Sequence, residues 1–153
     1  MKLIKNNPPA GGQAFLIGIL VFSFLGFLDA AYLSILHFKN AIPPCTISGC
    51  EIVLTSKFAT ILGVPISLIG AVFYFLLIIL SVFLLTKPKD TGKLRILYIK
   101  QGIFLLTAVG FFISLILIYI QFAVIKSWCQ YCVFSEIINT GLFGLAFYLR
   151  KSK

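Results

Sequence analysis

The chain has 153 residues, of which 60% are hydrophobic and 11% charged, with a formal net charge of +9 and a mean hydropathy of +1.08. An ordinary water-soluble domain carries far less apolar and far more charged residue, so the composition argues against a soluble fold. At roughly 20 apolar residues per bilayer crossing, there is room for about four spans joined by short loops, which predicts an all-α integral membrane four-helix bundle built as one domain over residues 1–153.

The first span is expected from Ala14 to Phe38. Lys2 and Lys5 ahead of an apolar core imitate a secretory signal. The core is too long for one, however, and Leu28-Asp29-Ala30 lacks the small residue expected three places before a cleavage point, so an uncleaved helix is expected. Asp29 falls in the outer third of this span, where an ionisable group normally faces a partner or cavity. Tyr32 follows at i+3 on the same side. A role in orienting the bundle and a plain hydrogen-bonded structural role are both open for Asp29. His37 is the sole histidine, which favours an interfacial residue over a haem or metal ligand.

Residues 39–64 form the next connection, with Cys45 and Cys50 among Pro43, Pro44 and Gly49, a composition that predicts a loop rather than a helix face. The second span runs from Pro65 to Thr86, starting near Pro65 because proline suits a first helical turn. A connection over 87–100 leads to a third span, about Ile96 to Ile125, and a fourth, about Cys129 to Leu149. No internal repeat or low-complexity tract interrupts this order.

Basic residues set the orientation. Lys2, Lys5, Lys87, Lys89, Lys93, Arg95, Lys100, Arg150, Lys151 and Lys153 fall on one side of the spans, against Lys39, Lys57 and Lys126 on the other. The positive-inside rule then puts both termini in the cytoplasm and all four cysteines in the opposite compartment. The positive charge reports topology, and no nucleic-acid partner is expected.

That compartment is oxidising, so disulfides can persist there. Cys129 and Cys132 stand three apart in Trp128-Cys129-Gln130-Tyr131-Cys132. On a helix this spacing brings the Cβ atoms to about 5 to 6 Å, close to bridging distance. Unpaired N–H groups at a helix start also favour a thiolate, as redox CxxC motifs exploit. A loop pair at Cys45 and Cys50 could move between an outside partner and a buried one. Two inert alternatives exist: a noncatalytic scaffold clipped by structural disulfides, and a zinc site of all four cysteines. The redox spacing counts against the first. The second would separate its ligand pairs by two whole spans, unlike compact zinc modules, so no metal is expected.

Below the CxxC, Glu136 and Asn139 or Thr140 continue the steps of three and four from Cys132, forming one stripe directed into the bundle. The stripe can be interhelical hydrogen-bond glue beside Gly141 and Gly144. It can equally be a polar anchor and proton route for a lipophilic substrate beside Cys132.

With these residues in order, the chain resembles the vitamin K epoxide reductase family, including bacterial members that oxidise protein thiols. Asp29-Ala30-Ala31-Tyr32-Leu33-Ser34-Ile35-Leu36-His37 is similar to the end of that family's first helix. Cys50-Glu51-Ile52-Val53-Leu54-Thr55-Ser56, followed by Gly63-Val64-Pro65, is similar to its loop cysteine, serine and second-helix entry. Trp128-Cys129-Gln130-Tyr131-Cys132 matches its active-site motif. The resemblance implies a bundle around a quinone such as ubiquinone or menaquinone, with Cys132 nearest the quinone and Ser56 near the quinone or supporting the active cysteines. It further implies that Cys129 exchanges with a loop cysteine, and that Cys45 and Cys50 exchange with a thioredoxin-fold partner. Glu136 stands where vertebrate relatives carry a tyrosine, and the loop pair has only four residues between its cysteines. Some bacterial members carry a fused thioredoxin-like domain; this chain ends at Lys153, so a separate partner is expected.

The expected activity is reoxidation of that partner with electrons passed to the quinone, in a bacterial plasma membrane. The same relay run backwards would be a vitamin K quinone or epoxide reductase. It ranks second because Arg150-Lys151-Ser152-Lys153 gives no identifiable eukaryotic retention signal.

Overall fold

The computed structural model describes residues 10–46, 49–86 and 92–151; Lys2, Lys5, Lys87, Lys89, Ser152 and Lys153, and Ile47 and Ser48 of the cysteine loop, lie outside them. In chain order the elements are α1 (Ala10–Phe38), α2 (Cys50–Leu54), a 3-10 turn at Lys57–Ala59, β1 (Thr60–Ile61), β2 (Val64–Pro65), α3 (Ile66–Thr86), α4 (Lys93–Tyr119) with a π-helical extension at Ile120–Ile125, and α5 (Gln130–Lys151).

The four long helices are uninterrupted by proline, and each satisfies its backbone internally, as hydrocarbon requires. They are apolar on their outward faces as well as their inward ones. Ile17, Val21, Phe24 and Leu28 of α1, Val72, Phe75 and Ile79 of α3, and Val109, Phe112 and Ile116 of α4 are all exposed. Such surface belongs against lipid. All four helices are long and apolar enough to cross a membrane, and the protein is a multi-pass membrane protein.

Helix boundaries depart from expectation where polar residues join a helix. Lys93, Arg95 and Lys100, expected in a connection, lie on the first turns of α4. Cys129, expected inside the fourth span, stands just before α5 begins at Gln130. The cysteine connection is not all loop: Cys50 opens the short helix α2, while Cys45 stays in irregular chain. A two-stranded hairpin then pairs Thr60 with Pro65 and Ile61 with Val64. Its turn residues Leu62 and Gly63 both have positive φ, 53° and 82°, the backbone of a tight hairpin turn. This hairpin delivers Pro65 to the start of α3.

In the bundle α1 packs along both α3 and α5, and α4 packs on α5, whereas α3 and α4 meet only slightly. Lipid tails give helices no hydrophobic reason to associate, so close contact does the work. A Cβ at Gly26 of α1 would stand 2.5 Å from the Tyr74 ring of α3, and glycine alone permits that approach. Leu16, Ile19, Leu77, Leu84, Ile103, Leu142 and Leu149 fill the centre. Phe111 stacks on Phe143 with ring centroids 4.8 Å apart, joining α4 to α5.

Candidate redox site

The four cysteines converge at the end of the bundle where α1 ends and α5 begins. Cys50, Val53 and Cys129 form a buried cluster, with Cys45, Leu54, Ile125, Tyr131 and Cys132 packed partly buried against it. Cys45 and Cys50 are disulfide-bonded; Cys129 and Cys132 are free thiols.

Local backbone explains how two distant segments meet. Gly49 has φ of 142°, and a Cβ there would lie 2.8 Å from the Trp128 carbonyl oxygen. The residue before Cys50 therefore rests directly on the residue before Cys129, and a side chain at Gly49 would push the two apart. Cys50 and Cys129 are 1% and 0% exposed, which makes them the inner members of their pairs.

Cys129 occupies the cap position of α5. Its carbonyl accepts the Val133 N–H at 2.9 Å, and its Sγ accepts the Cys132 N–H at 3.5 Å, where a serine or aspartate oxygen sits in an ordinary cap. Hydrogen bonding from the Cys132 thiol, outweighing desolvation and helped by the backbone N–H groups of Cys132 and Tyr131, brings the Cys129 thiol down to about 7. Behind it, Gln121 Oε1 accepts the Cys129 N–H at 3.3 Å in a buried contact. Gln121 reaches inward because α4 widens into a π-helical turn over Ile120–Ile125, which ends at Lys126 in a left-handed conformation. Single π-turns of this kind recur at functional sites.

One turn inward from Cys132, α5 is tied to its neighbours by polar contacts. The Ser135 hydroxyl donates to Asp29 Oδ2 of α1 at 2.8 Å, and the Tyr74 hydroxyl of α3 donates to the Ser135 carbonyl at 3.4 Å. Asp29 is thus a hydrogen-bonded link between helices. Tyr32, one turn on, is half exposed and packs against the Tyr131 ring at 5.9 Å. Asn139 Nδ2 donates to Ser114 Oγ of α4 at 2.7 Å, and the Ser114 hydroxyl also bonds Glu136. Of the two sequence candidates, Asn139 is the more inward; Thr140 is exposed and its hydroxyl donates to the Glu136 carbonyl.

Glu136 is 6% exposed. Its Oε2 and the Asn139 Oδ1, with the hydroxyls of Ser23 and Ser81, have no hydrogen-bond partner among the described residues. Buried polar atoms left unpaired in this way are unusual and suit a polar guest. Ser56 donates its hydroxyl to the Val53 carbonyl at 2.7 Å, bracing the short helix that carries Cys50. A separate cavity of about 660 Å³, lined by Leu80, Arg95, Tyr98 and Ile99 among others, lies towards the opposite end of α3 and α4.

Sequence reasoning passed over Gln121, Ser114, Ser135, Thr46 and the two residues inside the CxxC. Gln121 carried a signal, being an amide in an otherwise apolar run eight residues before Cys129. The contacts of Thr46, Gln130 and Tyr131 depend on how the loop folds back, which periodicity does not encode.

Residues 17–147 match the model of the Vitamin K epoxide reductase family, a stretch that includes all four cysteines and the polar residues beneath them, and the chain belongs to that family as a membrane thiol-disulfide oxidoreductase.

Proposed function

We propose that the protein reoxidises a separate, secreted thioredoxin-fold partner and passes the electrons to a quinone such as ubiquinone or menaquinone. The setting is a bacterial plasma membrane with both termini cytoplasmic and the cysteines outside. The observation that carries the reading is the graded burial of one cysteine cluster: Cys50 and Cys129 lie at its centre, with Cys45 and Cys132 packed against it.

A partner thiolate attacks Cys45, forming a mixed disulfide and releasing Cys50 as a thiolate. Cys50 attacks Cys129 of the closed CxxC and expels Cys132. A second partner thiol resolves the Cys45 mixed disulfide, and Cys45 then attacks Cys50, remaking the loop bridge and freeing Cys129. Each step is thiolate attack on sulfur, so its rate depends on thiolate fraction and access. A quinone supplies a two-electron, two-proton acceptor for the reduced CxxC. The unpaired Glu136 Oε2 and Asn139 Oδ1 fit such a group, since they can accept hydrogen bonds from quinol hydroxyls. Glu136 lies one turn from Cys132 and can take up or return the thiol proton. Ser56 contributes by holding α2.

The test is reconstitution of purified protein with a reduced thioredoxin-fold protein and a quinone. Quinone-dependent thiol oxidation is expected and should vanish in Cys132→Ala; oxidation that survives the substitution sinks the mechanism. If the relay runs the other way, supplying vitamin K epoxide and reductant gives the faster turnover. A scaffold with structural disulfides would show altered folding on loss of either pair and no thiol oxidation to lose.

A further inference from the structure

Both residues inside the CxxC reach across to the loop, and they take hold of it on either side of Cys45. Gln130 Oε1 accepts the Thr46 N–H at 3.2 Å and the Thr46 hydroxyl at 2.6 Å. The Tyr131 hydroxyl donates to the Pro44 carbonyl at 3.0 Å. The backbone donor at Thr46 fixes which amide atom of Gln130 faces the loop, because only an oxygen can accept there. The third point of attachment is Gly49 against Trp128. The loop is therefore held on both sides of Cys45 and next to Cys50 by residues that lie between, or adjoin, the CxxC cysteines.

We propose that Gln130 and Tyr131 are positioning residues that clasp the loop over Cys129 and so set the rate of exchange between the two cysteine pairs. The inference deepens the relay described above and rests on it. In the exchange, the Cys50 thiolate forms a bond to Cys129 while the Cys129–Cys132 bond breaks and Cys132 leaves as a thiolate. When Cys45 then attacks Cys50 and releases Cys129, two electrons have passed from the loop to the CxxC with no other redox partner. Sulfur attack on sulfur needs close approach and alignment. Holding one sulfur beside another raises its effective concentration, and loosening the hold lowers the rate without changing either thiol. The clasp bonds to Thr46 and Pro44 are solvent-exposed, so each is individually modest. Bonds of that strength can release the loop again once exchange is complete.

The test uses the full chain in lipid nanodiscs with Cys45→Ala and Cys132→Ala, which leaves Cys50 and Cys129 as the remaining pair. Diamide closes a Cys50–Cys129 disulfide by taking up the two electrons and two protons, and its rate is followed by gel mobility. Adding Gln130→Ala with Tyr131→Phe is expected to slow closure by about tenfold, the effect of losing contacts worth about 1.4 kcal/mol in total. From the loop side, Thr46→Val is expected to slow closure while Thr46→Ser, which keeps the hydroxyl, closes at the parent rate. Thr46 is exposed, so these two variants do not put the bundle at risk. The pH midpoint of Cys129 alkylation in each reduced variant, which is independent of how far the loosened loop exposes the sulfur, should match that of the parent, showing that the thiol itself is unaltered. Closure at the parent rate in the Gln130/Tyr131 variant, or equal slowing by Thr46→Ser and Thr46→Val, overturns the clasp. Failure of the parent pair to close at all would instead overturn the relay on which the clasp depends.

Discussion

At the scale of single residues, the two CxxC cysteines are unlike each other because one caps a helix and the other sits within it. The Cys129 sulfur collects N–H groups and the Cys132 thiol hydrogen, and its thiol titrates at about 7. Depressing an acid's pKa enlarges its charged fraction at a given pH, so near pH 7 Cys129 carries more thiolate than the few per cent of a free cysteine. Its alkylation rate should therefore rise through about pH 7 and level off by about pH 8. In Cys132→Ala, which removes the largest cause of the shift, the inflection should move up towards the free-cysteine value of about 8.5; pH-dependent iodoacetamide labelling measures both. Glu136 gives a second prediction. On the role proposed for it, Glu136, with its unpaired oxygen, would carry a proton, and Glu136→Gln is the conservative test of that role. Quinone-coupled turnover should fall roughly a hundredfold, in the range usual for general acid–base groups, with partner exchange unchanged in single-turnover assays. Turnover that is unchanged across pH would remove Glu136 from the reaction. The cysteines and Glu136 could be singled out in the sequence because their chemistry is rare in an apolar chain. Gln121 is just as rare, but its inward orientation depends on the π-turn, and nothing in the apolar pattern of Ile120–Ile125 announces that extra residue per turn.

At the scale of elements, the spans were legible because lipid demands long apolar runs, and the four runs correspond to the four long helices. Their ends were less legible. Lys93, Arg95 and Lys100 continue α4 because long basic side chains can extend towards water while the backbone stays helical. Cys50 was hidden in a loop composition since a five-residue helix, Cys50–Leu54, is too short to leave a periodic signature. Helix pairing was invisible as well, for it depends on which glycine faces which ring. Gly26→Ala would put a methyl 2.5 Å from Tyr74, whereas a Cβ at Gly144 meets nothing within 4 Å. The first substitution should lower stability by about 1 to 3 kcal/mol, the usual consequence of overpacking. Gly144→Ala should leave stability unchanged or slightly raised. Denaturant titration in one detergent compares the two directly, and equal effects would mean that α1 and α3 are not held by the Gly26–Tyr74 approach.

At the scale of the whole molecule, function depends on which compartment the cysteine cluster faces, because the same relay in a reducing cytosol would be held open by the surrounding thiols. The fold sets the cysteines at one end of the bundle and Lys93, Arg95, Arg150 and Lys151 at the other. That separation converts a bias in basic residues into a prediction about sidedness. In intact cells treated with a permeant reductant, a membrane-impermeant maleimide should label a protein retaining only Cys45. A cysteine-free protein carrying Lys93→Cys should become labelled only after the membrane is opened. Adding charge tests the cause as well as the outcome. Replacing Lys93, Arg95, Arg150 and Lys151 with glutamine, while placing lysines near Lys39 and Lys57, should produce a population with the labelling pattern reversed and thiol oxidation lost. Reversed labelling in the unaltered protein would place the redox cluster in the cytoplasm and remove the oxidising surroundings on which the proposed direction of electron flow rests.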